Sequence, residues 1–214
     1  MDKKINIMIV DDHAILRAGL KQVLSEAGDI EVIAESGTAN EAIKKCRELD
    51  IDVLLLDISL PDRSGIEALQ YIRKDSPRLP VLMLSMHRED QYAVRALKAG
   101  ASGYLCKQSA SDDLVNAVHM LAKGKYYISS AVAEILANQV SSGEDEKALH
   151  ETLSNREYET LILIASGLSV GEIANKLSLS VKTISMYRTR LLEKMQLKHN
   201  AELTHYAIKN NLVD

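Results

Sequence analysis

The sequence predicts two folds in series: a five-stranded, parallel, doubly wound α/β domain, then an all-α domain of four short helices. Three observations carry this. Apolar, β-branched runs alternate with segments of helical period five times between Ile5 and Ala122, which is the signature of βα units around a parallel sheet. The run Ile51–Asp57 is a short apolar block with no helical period, bounded by acidic residues before it and by Leu60-Pro61-Asp62 after it. That length and those edges mark a strand buried on both faces. Beyond a small, polar, acidic stretch at Ser141–Glu146 the pattern changes to short capped helices.

Taken in order, Ile5–Val10 is a β-branched strand ending in Asp11-Asp12, and Ala14–Ala27 has helical spacing at Ile15, Leu16, Leu20, Val23 and Leu24. Ile30–Glu35 is the second strand. Thr38 to Glu41 reads as a capping box opening a helix to about Leu49. The Leu54-centred strand follows, then a second capping box at Ser64 to Glu67 with a helix to about Lys74. Pro80–Ser85, a helix from about Glu89 to Ala99, the strand Ser102–Cys106 and the helix Ser111–Ala122 complete the repeat. Gly124–Ser129 breaks it, and Ala131–Val140 is a short amphipathic helix before the linker. The expected domains are therefore residues 1–123, a linker with a short helix over 124–149, and residues 150–214.

With 214 residues and 46% hydrophobic composition the chain supports two ordinary cores, packed without Trp or Phe. The net charge of −4 hides an asymmetry: from Lys147 onward nine Lys/Arg stand against seven Asp/Glu, while the preceding part is acidic. Acidic front and basic back point to separate tasks. Cys46 and Cys106 sit in apolar periodic segments and read as core thiols, not a disulfide or metal pair. Met1-Asp2-Lys3-Lys4 leads into a strand and not a signal peptide, and no apolar run is long enough to span a bilayer. A cytoplasmic protein without membrane contact is expected.

Parallel strands deliver their last residues to one edge of the sheet, where open α/β folds bind ligands. That edge collects Asp11 and Asp12 from the first strand, Asp57 from the third, Ser85 from the fourth and Lys107 after the fifth. Three crowded carboxylates are tolerable around a hard divalent cation, and Mg²⁺ suits one or two carboxylates plus water and phosphate oxygens. Lys107 can meet a phosphoryl group and Ser85 can donate a hydrogen bond to it. Together they read as a site for making an acyl phosphate on Asp57. Taken singly, Asp11 and Asp12 suit helix capping, Lys107 a solvated loop, Tyr104 a core position and Ser85 filler; the set at strand ends is what favours chemistry. His13 reads as a surface histidine at a helix start, since no Cys or second His has ligand spacing.

Asp11-Asp12, Asp57, Ser85 and Lys107, with Gly103-Tyr104-Leu105-Cys106 before the lysine, resemble the receiver domain of bacterial two-component response regulators over about residues 5 to 122. The resemblance implies a flavodoxin-like fold and a histidine kinase that phosphorylates Asp57. It implies Mg²⁺ held by Asp12, Asp57 and the carbonyl of Ser59, with Asp11 supporting it through water. Ser85 and Tyr104 would be the switch pair: Ser85 moves toward the phosphoryl group and Tyr104 then turns inward.

In the second domain Leu153-Ser154-Asn155-Arg156-Glu157 opens a helix by a capping box, Gly167 ends it, and Ser169 to Glu172 opens another. Ser178-Leu179-Ser180 is a tight turn before the helix Val181–Met195, and a last helix runs from about Ala201 to Asn210. A short helix, a turn and a second helix make a helix-turn-helix. The second helix carries Lys182, Arg188, Arg190 and Lys194, with Lys198 just beyond, against the single acid Glu193; this suggests DNA, although basic helices are usually solvated faces. The residues Leu153 to Glu157, Gly167, Glu172-Ile173-Ala174, Leu177 and Ser180-Val181-Lys182-Thr183 resemble the LuxR-type DNA-binding domain over about residues 150 to 212. Receiver plus this module is the layout of the NarL/FixJ family of response regulators. That layout implies a transcription factor that dimerises on phosphorylation and binds double-stranded promoter DNA. Val181–Met195 would lie in the major groove. Ser185, Met186 and Thr189 would face bases, and Lys182, Tyr187, Arg188 and Arg190 mainly phosphates, with Thr183 and Lys194 on the same interface.

Two other readings differ in class. Phosphatases of the haloacid-dehalogenase type also use an Asp after an apolar strand with Mg²⁺, but place a second Asp two residues on as acid/base. Here that position is Ser59, so water is poorly activated and the acyl phosphate persists; no enzyme turning over substrate is expected. A stand-alone DNA-binding protein with a vestigial pocket is disfavoured by the intact Asp57 and Lys107.

Overall fold

The computed structural model describes residues 4–86, 89–107, 110–141 and 148–213. The chain divides into two compact units, Met1–Asn138 and Gln139–Asp214. The first contains β1 (Ile5–Val10), α1 (Ala14–Glu26), β2 (Ile30–Ser36), α2 (Ala39–Glu48), β3 (Val53–Asp57), α3 (Gly65–Asp75), β4 (Val81–Ser85), α4 (Glu89–Lys98), β5 (Gly103–Cys106) and α5 (Ala110–Ala122). The strands form one sheet in the order β2-β1-β3-β4-β5, every neighbour pair parallel. The predicted doubly wound α/β fold is what the chain adopts. The helix α6 (Ser130–Ser141) crosses the division between the units. The expected linker begins at Ser141, its last residue, and otherwise lies outside the described residues, as do Met1-Asp2-Lys3.

Alternation along the strands splits the apolar residues between two faces. Ile7, Ile9, Val53, Leu55, Leu82, Leu84 and Leu105 pack with Leu20 and Leu24 of α1 and with Leu114, Ala117, Val118 and Leu121 of α5. Met8, Val10, Leu54, Leu56, Val81 and Met83 alternate with them onto the other face and are equally buried. Burial on both sides explains why β3 has no polar residue before Asp57. The β5 edge is not left bare: Tyr127 bridges Gly103, with Tyr104 N–H donating to Tyr127 O at 3.2 Å and Tyr127 N–H to Ser102 O at 3.0 Å. Both cysteines are free, and burial pushes the Cys46 thiol up to about 11, as suits a core position.

Helix starts follow the sequence in part. Thr38 accepts the Glu41 N–H at 3.4 Å, but Glu41 turns its carboxylate to Ser36 and Lys45 and leaves the box half made. The missing acceptor comes from Asp62, which takes the N–H groups of Ala39 and Asn40 at 2.9 Å each. The capping box expected at Ser64 is not formed: Ser64 stands at the N-cap, yet its hydroxyl makes no cap bond. Instead Gly65 N–H donates to Ile58 O at 2.7 Å and folds the loop after β3 back on itself.

The second unit holds a 3-10 turn (Leu149–Thr152), α7 (Asn155–Ala165), α8 (Val170–Lys176), α9 (Val181–Met195) and α10 (Asn200–Lys209). Here the capping boxes at Ser154/Glu157 and Ser169/Glu172 are both complete. Leu177 to Ser180 join α8 to α9, with Ser178 in left-handed conformation at φ 53°. Among the described residues no helix is long and apolar enough to cross a membrane.

Candidate functional site

Strand register assembles the pocket. Val10 pairs with Leu56, so Asp11, one residue on, comes level with Asp57. Asp57 pairs with Leu84 and Ser85 with Cys106, which places Lys107 immediately beyond the same edge. The chain leaves β1 for β2 on one side and reaches β3 on the other, so the carboxyl edge opens at the switch point.

Asp11 and Asp57 are buried, and between them lies the Lys107 ammonium, itself only 2% exposed, with Nζ 2.6 Å from Asp11 Oδ2 and 2.7 Å from Asp57 Oδ2. Those two oxygens are closed to solvent and are ion-paired to the ammonium. Burial pushes the Asp57 carboxyl up to about 7; Lys107 opposes this, the Asp11 charge adds to it, and the Ser59 N–H, 3.3 Å from Asp57 Oδ1, opposes it weakly. Burial draws the Lys107 ammonium down, but the carboxylates of Asp57 and Asp11 outweigh it and hold its pKa above the ordinary value. The pocket is thus short of positive charge. One lysine serves two buried carboxylates, with the more open Asp12 beside them, and a divalent cation fits that donor set.

The predicted residues fall in three groups. Asp11, Asp12, Asp57 and Lys107 converge, with Ser59 donating to Asp57. Ser85 and Tyr104 are both buried; each alternates with a residue of the α1/α5 core, Leu84 and Leu105, so both lie on the opposite face. Tyr104 is 0% exposed. The nearby Gly65 has a reason that the sequence does not show. A Cβ there would stand 1.9 Å from the carbonyl oxygen of Asp57, so only glycine lets the loop pass behind the acceptor strand.

Asp11 also accepts the His13 N–H on Oδ1 at 2.8 Å, which turns the chain ahead of α1; the N-cap itself is His13, and its side chain makes no cap bond. His13 is 66% exposed at its side chain, as expected of a surface histidine, yet its Nδ1 lies 2.8 Å from Asp12 Oδ1 and 3.1 Å from Asp11 Oδ1. The only sequence signal for this was its adjacency to Asp12.

The other predicted surface lies on α9. Its buried side is Ile184, Leu191 and Met195. Lys182, Ser185, Met186, Thr189 and Arg190 are exposed at helical spacing away from that side, while Tyr187 is half-buried. Three of the proposed contacts carry structural duties as well. Thr183 closes the helix start, its N–H donating to Ser180 Oγ at 3.1 Å. Arg188 Nε donates to Asn200 Oδ1 at 2.6 Å. Lys194 Nζ pairs with the buried Glu157 at 2.6 Å, which joins α9 to the capping box of α7.

Comparison with known proteins adds the rest. Residues 7–119 match the model of the response regulator receiver domain, and residues 151–207 match that of the bacterial regulatory proteins of the luxR family. The chain is 35% identical to response regulator UvrY of Escherichia coli K12 over 208 residues, 97% of this chain and 95% of that one. It is 35% identical to response regulator protein VraR of Staphylococcus aureus over 209 residues, 98% and 99% of the two chains. A structure of RcsB from Salmonella enterica serovar Typhimurium, bound to a promoter in the presence of the phosphomimetic BeF₃⁻, matches with a TM-score of 0.63 and 30% identity over 95% of this chain and 98% of that one.

Proposed function

Since the chain belongs to the response regulators that couple a receiver domain to a LuxR-type DNA-binding domain, we propose that Asp57 is its phosphoacceptor and that phosphorylation there controls dimerisation and binding to promoter DNA. The observation that carries this is Lys107 Nζ, held 2.7 Å from the buried Asp57 at the carboxyl edge of the sheet. A lysine so placed pairs with the free carboxylate and can follow the charge to a phosphoryl oxygen once one is attached. The donor is a histidine kinase. An Asp57 oxygen forms the new O–P bond as the N–P bond of the kinase's phosphohistidine breaks, and the histidine nitrogen keeps the electron pair.

Asp12, Asp57 and the carbonyl of Ser59 would hold Mg²⁺, with Asp11 behind them; bound there it neutralises charge on the phosphoryl oxygens. Ser85 is the hydroxyl that answers the new group. Tyr104, itself buried, is its partner in the switch. Position 59 is Ser, two residues after the acceptor, so no carboxylate stands there to activate water, and the acyl phosphate persists as a signal rather than turning over. Residues 1–123 act as the receiver and 150–214 as the DNA-binding domain, joined through 124–149, in a cytoplasmic regulator. On DNA, Lys182 and Arg190 are the exposed phosphate-binding cations and Ser185, Met186 and Thr189 the base-reading positions. Arg188 and Lys194 orient the helix as much as they hold phosphate.

The test is incubation with acetyl phosphate and Mg²⁺. One acid-labile phosphoryl group is expected on the wild type and none on Asp57→Asn. Equal labelling of that variant would remove Asp57 from the role, and multiple turnover of small phosphate esters would favour a phosphatase.

A further inference from the structure

We infer that Arg17 is a positioning residue for the phosphoacceptor pocket: its guanidinium holds the backbone carbonyl of Asp11 and so fixes the turn that presents Asp11 and Asp12. This rests on the reading that the pocket binds a divalent cation. The first reason is where α1 puts its side chains. The helix turns Ile15 outward, 91% exposed, and folds Arg17 inward, its side chain 19% exposed. Burying a guanidinium is costly unless it is paired and hydrogen-bonded, so the inversion calls for partners that only this position reaches.

Those partners are the chain beside the acceptor and the end of β2. Arg17 Nη1 donates to the carbonyl oxygen of Asp11. The N–H of Asp11 donates to Ser36 O at 3.0 Å. Asp11 is therefore held on one side by β2 and on the other by Arg17. Because the peptide unit is planar, fixing that oxygen sets the plane of the whole Asp11–Asp12 peptide, and with it the direction in which Asp12 leaves the strand. The guanidinium is itself oriented. Its Nε is closed to solvent and ion-paired with Glu35 Oε2 at 3.6 Å. Glu35 is anchored in turn by Lys21 at 2.8 Å, and its carbonyl accepts from Lys45 Nζ at 2.6 Å. A planar fork can meet a carbonyl and a carboxylate at once, which a lysine ammonium on a flexible stem does poorly.

A purely structural arginine would add stability and nothing more, so the experiment separates stability from cation binding. Mg²⁺ affinity of the full chain is measured by calorimetry for the wild type, Arg17→Met and Lys21→Ala, and exchange of the Asp12 and His13 amides is followed in EDTA. Arg17→Met keeps the apolar stem and removes the donors. Lys21→Ala removes a cation from the same helix and the same Glu35 without touching Asp11. We expect Arg17→Met to lose about tenfold or more of its Mg²⁺ affinity, as when a group that orients a ligand is removed. Its two amides should exchange faster than the change in global stability accounts for. Lys21→Ala should keep wild-type affinity. A folded Arg17→Met with wild-type Mg²⁺ affinity overturns the inference, since Arg17 would then only stabilise the fold. Equal losses in both variants also overturn it, since the effect would be one of general charge. If Arg17→Met does not fold, Arg17→Lys decides: weakened Mg²⁺ binding upholds the inference and unchanged binding overturns it. If the wild type binds no Mg²⁺, the cation reading itself falls and this inference with it.

Discussion

Asp57→Asn should stabilise the receiver in metal-free buffer at neutral pH, although it destroys the proposed phosphoacceptor. Asp57 is buried beside Asp11, and burial lifts its carboxyl from 3.8 to about 7. A carboxylate forced to ionise in such a place costs the fold ~4 kcal/mol relative to a protonated pocket. The amide escapes this penalty, which is already net of the pull of Lys107, so the gain is at most ~4 kcal/mol less the cost of burying the amide's own polar atoms. The pH dependence has a definite sign. Below about pH 4 the carboxyl is protonated both folded and unfolded and carries no penalty. As pH rises from there to about 7 the unfolded chain ionises first, the folded chain holds the extra proton, and stability falls. Above about 7 the penalty is complete and constant. The Asn variant lacks this slope, so its advantage is largest near pH 8 and shrinks toward about pH 5. Hydrogen exchange of the β3 and β4 amides in EDTA, corrected for the intrinsic effect of pH, reads the opening free energy of these central strands. A variant less stable than wild type near about pH 8, or a difference independent of pH, would refute the picture of an over-charged pocket.

Two further substitutions test the surroundings. Gly65→Ala forces a Cβ against the Asp57 carbonyl, backbone on backbone, and should cost ~1–3 kcal/mol in thermal unfolding; it should slow phosphoryl uptake about a hundredfold by displacing the acceptor. In the DNA-binding domain, Glu157→Gln should cost ~1–2 kcal/mol, because Glu157 Oε2 accepts from Ser154 N–H and pairs with Lys194. Burial raises the Glu157 carboxyl, but Lys194 and Ser154 outweigh it and hold it below 4.5, so the gap between the two proteins in pH-dependent denaturation is present above about pH 4.5 and closes as pH falls through the folded value.

The fold was legible where the sequence is periodic or local. Five apolar runs and their spacing gave the sheet, and the residues at or just beyond the strand ends, Asp11, Asp57 and Lys107, gave the pocket, because parallel register converts strand ends into neighbours. The capping boxes at Ser154 and Ser169 were legible because both partners lie within one turn. What was missed depends on residues distant in sequence. Asp62 finishes the cap of α2 from 23 residues away, and the Glu41 expected to do so is drawn to Ser36 and Lys45. Gly65 looked like a helix start, and only the backbone path behind Asp57 shows why it lacks a side chain. The guanidinium of Arg73 reaches the carbonyls of Gly100 and Leu79, contacts that nothing in the local sequence of α3 signals. Lys194 read as one more DNA cation because nothing in α9 reveals Glu157 beneath it.

The central claim, that charge at Asp57 governs DNA binding, is tested most directly by one comparison at a fixed salt concentration, since phosphate contacts make affinity steeply salt-dependent. Affinities of phosphorylated and unphosphorylated protein are measured for an operator with two half-sites about one helical turn apart and for a single half-site. Linking two DNA-binding domains through dimerised receivers makes the second contact intramolecular, so phosphorylation should tighten the two-site operator about a hundredfold or more and the single site far less, with no response from Asp57→Asn. Equal tightening on both DNAs would rule out dimerisation as the sole route, and a two-site affinity indifferent to phosphorylation would contradict the account.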